Sequence, residues 1–349
     1  MIKVLFVYSD KLCECTRKRT IEANKALSEY KVDKVLSDKI YYTELNEEHM
    51  RENDIVIFQR TGANGGNMLS DYGNKILKLI INHRDKTKCV YDIDDYVFHR
   101  QNDFPIKMLL ACNYALAPNK TIEEKMKDYN KNTYIIRTFI DLEKFNLIPK
   151  KIKFNESIIN IGWISSGGFG IDIMKKIYPS LLKQYDKKIA IHSFSRMYKY
   201  IRKDYKEKII KTYTTINFNS IISAFKCFDF VINPIDFNNL TFNNLIENDI
   251  GKKIDFINCK SEIKYLNAGA AGVPIISTPT SSYEYAIENE KNGFLAKDKN
   301  DWLKYIDLLI KEKEIRANVG LAAKEDIINN YSLKSAADNY YNFFKKILS

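Results

Sequence analysis

The segment from Lys260 to Ile287, KSEIKYLNAGAAGVPIISTPTSSYEYAI, combines two lysines with a run of small residues and a hydroxyl-rich turn. Helical spacing over 260–271 places Lys260, Lys264 and Asn267 on one face of a predicted helix. Small residues allow the backbone to approach a ligand closely, and ammonium groups offset negative charge. The segment therefore predicts a site for an anionic ligand, with a diphosphate as the first candidate.

The turn that follows the predicted strand at 273–278 adds hydroxyl groups to this segment. Ser281 or Ser282 is predicted to cap the next helix, with Tyr283 and Glu284 inside its first turn. Free backbone N–H groups at such a helix start suit a diphosphate. The alternative is an ordinary turn whose cap serves only the helix.

The acidic stretch DIDD at 92–95 is a second candidate for chemistry. Two carboxylates spaced D-x-D can hold Mn²⁺ or Mg²⁺ against a diphosphate. Because this stretch ends a predicted strand, we expect Asp94 or Asp95 to face a bound molecule and orient one of its hydroxyl groups. A helix cap or a pair of surface carboxylates is the alternative, and no metal site is predicted.

Two other polar side chains end predicted strands. Arg60 follows DIVIFQ and is a candidate for binding an anionic group. His192 follows KIAI and is predicted to contact a ligand at the mouth of the second sheet, with a hydrogen-bonded structural histidine as the alternative.

The elements that must position these residues alternate along the whole chain. Continuous rather than alternating apolarity predicts strands that are buried on both faces of a parallel sheet, with helices on each side. The pattern pauses at 142–157, which indicates two doubly wound α/β domains, 1–150 and 151–330, and a C-terminal amphipathic helix, 331–349, that can pack back on the N-terminal domain. The predicted strands are 3–8, 54–60, 89–93, 114–118, 134–139, 158–166, 188–194, 228–234 and 273–278.

Composition narrows the classes of partner and compartment. The net charge is +11, but the 55 basic residues are dispersed among 44 acidic ones and form no nucleic-acid-binding motif, so no nucleic acid partner is predicted. Peripheral contact with an anionic membrane remains open. No apolar run is long enough to span a bilayer, the N-terminal segment is typical of a first strand, and the six cysteines have no metal-ligand spacing. These features predict a cytoplasmic protein. If it contacts a membrane, it does so peripherally at the inner face.

Four segments, in this order, resemble motifs of the GT-B fold glycosyltransferases of family 4, also called glycosyl transferases group 1. They are IIRTFIDLEKFN at 135–146, INIGWISSGG at 159–168, FDFVINPID at 228–236 and KYLNAGAAGVPIIST at 264–278. Two others, FQR at 58–60 and VYDIDDYVF at 90–98, are similar to a bacterial branch that builds surface glycans.

The resemblance implies two Rossmann-like domains that face a cleft, with the acceptor on the side of 1–150 and the nucleotide-sugar on the side of 151–330. It implies a retaining, metal-independent hexosyltransferase that uses no cofactor beyond its nucleotide-sugar donor and has a glycan, lipid-linked or protein acceptor. The residues expected to be catalytic are Asp94, Asp95 and Lys264. Those expected to bind the nucleotide-sugar are Gly167, Gly168, His192, Lys260, Lys264, Asn267, Ser281, Ser282, Tyr283 and Glu284.

The chain departs from the family at the paired glutamates, whose positions hold Cys259 and Asn267. Asparagine can still hydrogen-bond a ribose, whereas cysteine cannot replace a carboxylate on sugar hydroxyl groups. The departure keeps open a catalytically silent subunit that binds a glycan or a partner enzyme. Another two-domain Rossmann-type enzyme, such as an epimerase or dehydrogenase, is disfavoured because no G-x-G-x-x-G follows a strand.

Overall fold

The chain divides into two α/β units. The computed structural model describes residues 1–9, 16–61, 71–95, 103–165, 170–195, 210–213, 218–236 and 256–349. The first unit comprises Met1–Asp141, Cys259–Ser261 and Tyr331–Ser349, and the second comprises Leu142–Asn258 and Glu262–Asn330. The boundary lies earlier than the predicted one at 150, because Leu142–Leu147 fold as a helix of the second unit instead of a linker.

The first unit contains a six-stranded parallel sheet. Its strands are β1 Ile2–Tyr8, β2 Val35–Tyr41, β3 Ile55–Gln59, β4 Lys88–Asp92, β5 Tyr114–Ala117 and β6 Thr133–Ile135. Their order is β2-β1-β3-β4-β5-β6, so β2 is an edge strand. The central strand β3 is buried along its whole length, as its continuous apolarity predicts. The edge strand β2 has exposed polar residues, and the apolar pattern therefore did not predict it.

Helices connect the strands of this sheet. A π-helical turn, Arg17–Glu22, leads into the first of them, and asparagine side chains cap two others: Asn46 accepts from His49 N and Asn119 accepts from Ile122 N. The helices are α1 Ala23–Tyr30, α2 Glu47–Glu52, α3 Asp71–His83, α4 Phe104–Ala111 and α5 Lys120–Lys127, with a 3-10 turn at Tyr42–Glu44.

The second unit repeats this architecture. Its parallel strands are β7 Ile159–Ser165, β8 Ile189–Ser195, β9 Ile210–Tyr213, β10 Phe230–Asn233, β11 Ile275–Ser277 and β12 Phe294–Leu295, in the order β12-β11-β10-β7-β8-β9. The short strands β9 and β12 lie at the two edges and were not predicted. The helices are α6 Leu142–Leu147, α7 Ile171–Tyr185, α8 Phe218–Phe225, α9 Ile263–Ala270, α10 Ser281–Ala286, α11 Lys299–Lys311 and α12 Lys313–Asn330.

The last helix, α13 Leu333–Leu348, belongs to the first unit. It begins at Ser332, whose hydroxyl accepts from Ser335 N. Its apolar stripe lies in the same core as residues of β1 and α1, and the ring of Tyr340 meets that of Phe6 edge to face at 5.9 Å. An amphipathic helix needs such a partner to remove its apolar face from water. Among the described residues, no helix combines the length and apolarity that crossing a membrane requires.

The small residues of the opening segment pack one helix against another. A Cβ atom on Gly269 of α9 would lie 2.7 Å from Ile327 Cγ1 of α12, and one on Gly320 of α12 would lie 2.2 Å from Gly272 O. Gly272 itself has a φ of 70°, which favours glycine. The small side chains therefore let α9 and α12 approach each other, and this corrects the expectation that their purpose is close approach to a ligand.

Candidate functional site

A hydrogen-bonded network lies at the carboxyl ends of two neighbouring strands in the second unit. Asn233 ends β10 and Ser277 ends β11, and the two residues pair in the sheet register. Asn233 Nδ2 donates to Ser277 Oγ at 2.9 Å, and Lys264 Nζ of α9 donates to Asn233 Oδ1 at 2.7 Å. The ammonium group of Lys264 is thus held over the strand ends, where doubly wound sheets bind ligands.

Tyr283 and Glu262 complete this network. The hydroxyl group of Tyr283 lies close to the backbone of Lys264 and to the side chain of Asn233. Burial and then the nearby charge of Glu262 raise the pKa of Tyr283 well above its usual value, so the phenol remains protonated. Glu262 directly precedes α9 and is fully buried. The arrangement offers a fixed ammonium group and a neutral phenol.

Three buried polar atoms flank the network without a hydrogen-bond partner among the described residues. They are Asn267 Oδ1, Thr280 Oγ1 and Ser282 Oγ. Asn267 follows Lys264 on the same face of α9, and Thr280 and Ser282 lie at the start of α10. A buried polar group without a partner is unfavourable unless a ligand or water satisfies it. Asn267 Oδ1 can therefore accept a hydrogen bond from a bound molecule, and the two hydroxyl groups can donate or accept one.

The start of α10 differs from the prediction. Thr280, not Ser281 or Ser282, is the N-cap residue, and its side chain makes no capping hydrogen bond. The N–H of Ser281 donates a long hydrogen bond, of 3.5 Å, to Asn258 Oδ1. Glu284 is exposed in the first turn of this six-residue helix. The serine hydroxyl groups are thus not used as helix caps.

The periodicity predicted that Lys260 and Lys264 share one helix face. In the structure they do not. The helix begins at Ile263, after the Cys259–Ser261 stretch, which packs in the first unit. There Lys260 Nζ lies 3.0 Å from Asp95 Oδ1, and Asn119 Nδ2 donates to the carbonyl oxygen of Cys259 at 3.1 Å. Helical spacing alone could not show that Lys260 would lie before the start of the helix, in contact with Asp95.

His192 lies in the middle of β8, not at the end of the strand. Its ring nitrogens are hydrogen-bonded to Tyr213 Oη at 2.9 Å and Asn160 Oδ1 at 3.0 Å, and its ring stacks on Phe154 with centroids 3.7 Å apart. Both ring nitrogens thus have hydrogen-bond partners inside the unit. This agrees with the alternative prediction, a hydrogen-bonded structural histidine. Burial, with a smaller effect of Lys211, lowers the pKa of His192 to about 4.

This pKa predicts a pH dependence of stability. In the unfolded chain, His192 binds a proton below its ordinary pKa of 6.5. In the folded chain, it binds that proton only below about pH 4. We expect the free energy of unfolding to fall by up to about 3 kcal/mol as the pH drops through this window. Both tryptophans, Trp163 and Trp302, lie in the second unit, so urea unfolding followed by their fluorescence measures it.

The control for this prediction is a His192→Gln variant, which cannot titrate. Its stability should change less over the same window, although carboxylates elsewhere contribute to both proteins. An equal pH dependence in the two proteins would show that His192 is not responsible.

The sheet of the first unit carries a cluster of charged residues at its carboxyl edge. Arg60 Nη1 lies 3.7 Å from Asp94 Oδ1, and Arg60 Nη2 lies 3.9 Å from Asp95 Oδ2. Arg60 has a φ of 46°, an uncommon conformation for a residue other than glycine, and its N–H donates to Asp92 O at 2.8 Å. The structure thus brings Arg60, Asp94, Asp95 and Lys260 together as a group with balanced charge.

Asp92, the first residue of DIDD, lies inside the unit. Arg19 Nε donates to both of its carboxylate oxygens at 2.8 Å, and Arg19 Nη1 donates to Ile136 O at 2.8 Å. Every carboxylate of DIDD is therefore close to a cationic side chain. Among the described residues, no group of three or more acidic, cysteine or histidine side chains is arranged to hold a metal ion.

Two residues at this site, Asn233 and Glu262, were not predicted from the sequence. Asn233 is the polar residue that ends an apolar run, the same signal that singled out Arg60 and His192. For Glu262, the sequence offers only its position two residues before Lys264 as an indication of a role at the site. Gly167 and Gly168 lie outside the described residues.

Comparisons with known proteins give a family segment and a fold. Residues 263–326, which begin with α9, match the family model "Glycosyl transferases group 1". A search of curated proteins finds no match to the chain.

Solved structures extend the likeness to the fold of the whole chain. HepE from Anabaena, in complex with UDP, is 10% identical with a TM-score of 0.65, and the match covers 99% of this chain and 100% of HepE. An alpha-glucosyltransferase in complex with UDP-glucose and DNA is 10% identical with a TM-score of 0.66, and the match covers 99% of each chain.

A third neighbour, TarM, is 17% identical with a TM-score of 0.57. The match covers 83% of this chain and only 54% of TarM, whose S. aureus form is also among the similar structures. The two parallel six-stranded sheets and these neighbours identify the chain as a GT-B fold protein that carries, at 263–326, the glycosyl transferases group 1 segment.

Proposed function

We propose that this protein is a glycosyltransferase that moves a sugar from a nucleoside-diphosphate donor to a glycan, lipid-linked or protein acceptor. The observation that carries the proposal is the network of Lys264, Asn233 and Tyr283 at the strand ends of the second unit. Lys264 and Tyr283 lie within the segment 263–326 that matches the family model, whereas Asn233 precedes it in the sequence. Because HepE and the alpha-glucosyltransferase are described with UDP or UDP-glucose, a UDP-sugar is the first donor to test.

The proposed chemistry places a developing negative charge beside Lys264. When the bond between the sugar and the diphosphate breaks, the electron pair goes to the leaving phosphate oxygen. A cation fixed in advance stabilises that charge in the transition state. The amide of Asn267 and the hydroxyl of Ser282 are suited to hydrogen-bond the donor, because each has a buried polar atom that lacks a partner among the described residues. Retention of anomeric configuration and independence of a metal are part of the proposal.

The first test is a thermal-shift panel of UDP, GDP, dTDP and CMP in EDTA, in Mg²⁺ and in Mn²⁺. We expect one nucleoside diphosphate to raise the melting temperature of the second unit in the absence of a metal. Unfolding of this unit is followed by the fluorescence of Trp163 and Trp302. At a ligand concentration 100 times Kd the gain is about 2.7 kcal/mol, or about 5–10 °C for a unit of this size. Binding that disappears in EDTA and returns with Mn²⁺ would contradict metal independence and make DIDD a metal site.

A catalytically silent subunit is the second candidate, because Cys259 and Asn267 occupy the positions of the family's paired glutamates. Cys259 is buried in the first unit. The two candidates differ in the fate of the donor: an enzyme releases the nucleoside diphosphate, whereas a silent subunit binds the nucleotide-sugar and leaves it intact.

The proposed setting is the cytoplasm, with peripheral contact to an anionic membrane where the acceptor is lipid-linked. Dispersed lysines support that contact. The DNA in the alpha-glucosyltransferase complex is a property of that protein. We propose no nucleic acid acceptor for this chain, because its basic residues form no recognisable binding motif.

A further inference from the structure

Four tyrosine rings form a continuous row in the first unit. The row consists of Tyr8, Tyr41, Tyr42 and Tyr72, and we call it the tyrosine row. Successive ring centroids lie 5.6, 4.6 and 5.8 Å apart, with interplanar angles of 61°, 62° and 84°. Tyr8, Tyr41 and Tyr42 are half-buried, and Tyr72 is 46% exposed. Ring surface therefore remains available to a ligand.

The tyrosine row lies on the same sheet edge as the charged cluster. Tyr8 ends β1 and pairs in register with Tyr41 of β2 on one side and with Gln59 of β3 on the other. Gln59 in turn pairs with Asp92 of β4. Tyr8 is thus the end of the row that lies next to β3, and Gln59 of β3 directly precedes Arg60.

The buried side-chain amide of Gln59 lies between the tyrosine row and the charged cluster, and it indicates a ligand there. Gln59 is 1% exposed, and its Oε1 accepts from Thr16 Oγ1 at 3.1 Å. Its Nε2 has no hydrogen-bond partner among the described residues. An unsatisfied buried donor is unfavourable, and a hydroxyl group of a bound molecule would satisfy it.

We propose that the tyrosine row binds the saccharide part of the acceptor, whose sugar rings stack on the tyrosines. Tyrosine suits this ligand because its ring faces carry partial negative charge that attracts the C–H groups of a sugar, while its hydroxyl group hydrogen-bonds. Three strand spacings of about 4.8 Å separate β2 from β4, so the edge has room for a short oligosaccharide. The reacting hydroxyl then lies near Asp94 and Arg60. The inference rests on the proposed function and names its acceptor class.

The test measures binding of neutral hexose and N-acetylhexosamine oligosaccharides, of one to four units, by saturation-transfer NMR on the full chain. We expect at least one series to bind with an affinity that increases with length. Tyr72→Ala and Tyr42→Ala should weaken binding about tenfold, whereas Tyr72→Phe, which keeps the ring, should retain most of it.

The matched control is Tyr30→Ala, because Tyr30 is 47% exposed in the same unit and does not belong to the row. This variant should bind as the wild type does. Equal binding by Tyr72→Ala and the wild type, or no binding of any oligosaccharide in the panel, would overturn the inference. Binding of a nucleoside diphosphate is measured separately in the second unit, so failure of the tyrosine row and failure of the proposed function are distinguishable.

Discussion

A Lys264→Ala variant should transfer sugar about a hundredfold more slowly than the wild type, equivalent to about 3 kcal/mol of lost transition-state stabilisation. The ammonium group is held at 2.7 Å from Asn233 Oδ1 at the strand ends of the second unit. Its charge is therefore oriented before the donor reacts. The measurement is the rate at which the nucleoside diphosphate is released from a saturating nucleotide-sugar donor.

The same substitution also lowers stability, because Lys264 is half-buried and Asn233 is 1% exposed. Removal of the donor leaves Asn233 Oδ1 without this hydrogen bond, at a cost of about 1–3 kcal/mol. The rate must therefore be compared at equal folded fraction, which tryptophan fluorescence reports.

Lys226→Ala is the matched control. Lys226 Nζ donates to the carbonyl oxygens of Phe145 at 2.7 Å and Ile148 at 2.5 Å, so its loss also removes a charge and partly buried hydrogen bonds. We expect this variant to lose stability and keep its rate. Undiminished transfer by folded Lys264→Ala, or an equal loss of rate in both variants, would contradict the role of Lys264.

An Asp92→Asn variant should destabilise the first unit by about 3–5 kcal/mol, because it leaves the charge of Arg19 buried without its counter-ion. The two side chains are 0% and 1% exposed, and the guanidinium group donates three hydrogen bonds to the carboxylate. Urea unfolding followed by circular dichroism measures the loss. Tryptophan fluorescence should change less, because it reports on the second unit.

Two other variants distinguish this explanation from a general effect of removing a carboxylate. Arg19→Met combined with Asp92→Leu removes both charges and should recover much of the stability. Asp103→Asn breaks an exposed pair with Lys107 and should have little effect. Full stability of Asp92→Asn together with a loss of transfer would instead place Asp92 in the active site.

The sequence predicted the buried strands and the class of fold for a physical reason. Strands covered by helices on both faces must be apolar along their length, and β1, β3, β4, β7, β8, β10 and β11 show that pattern in the sequence itself. The order of motifs then indicated two doubly wound domains, which the two parallel six-stranded sheets confirm. The edge strands β2, β9 and β12 lack the signal because one side of each has no neighbouring strand or because they are very short.

At the candidate site, the sequence by itself determined the residue types and their order along the chain: Lys264, Asn267 and the hydroxyl-rich turn after β11. Only the tertiary structure decided their partners. It placed Asn233 under Lys264, moved Lys260 to Asp95 in the first unit, and put Asp92 against Arg19 in the core. Sequence periodicity describes neighbours within one helix or strand, whereas these contacts join residues from 31 to 165 positions apart. Such contacts depend on how the strands are ordered in each sheet, which no local pattern contains.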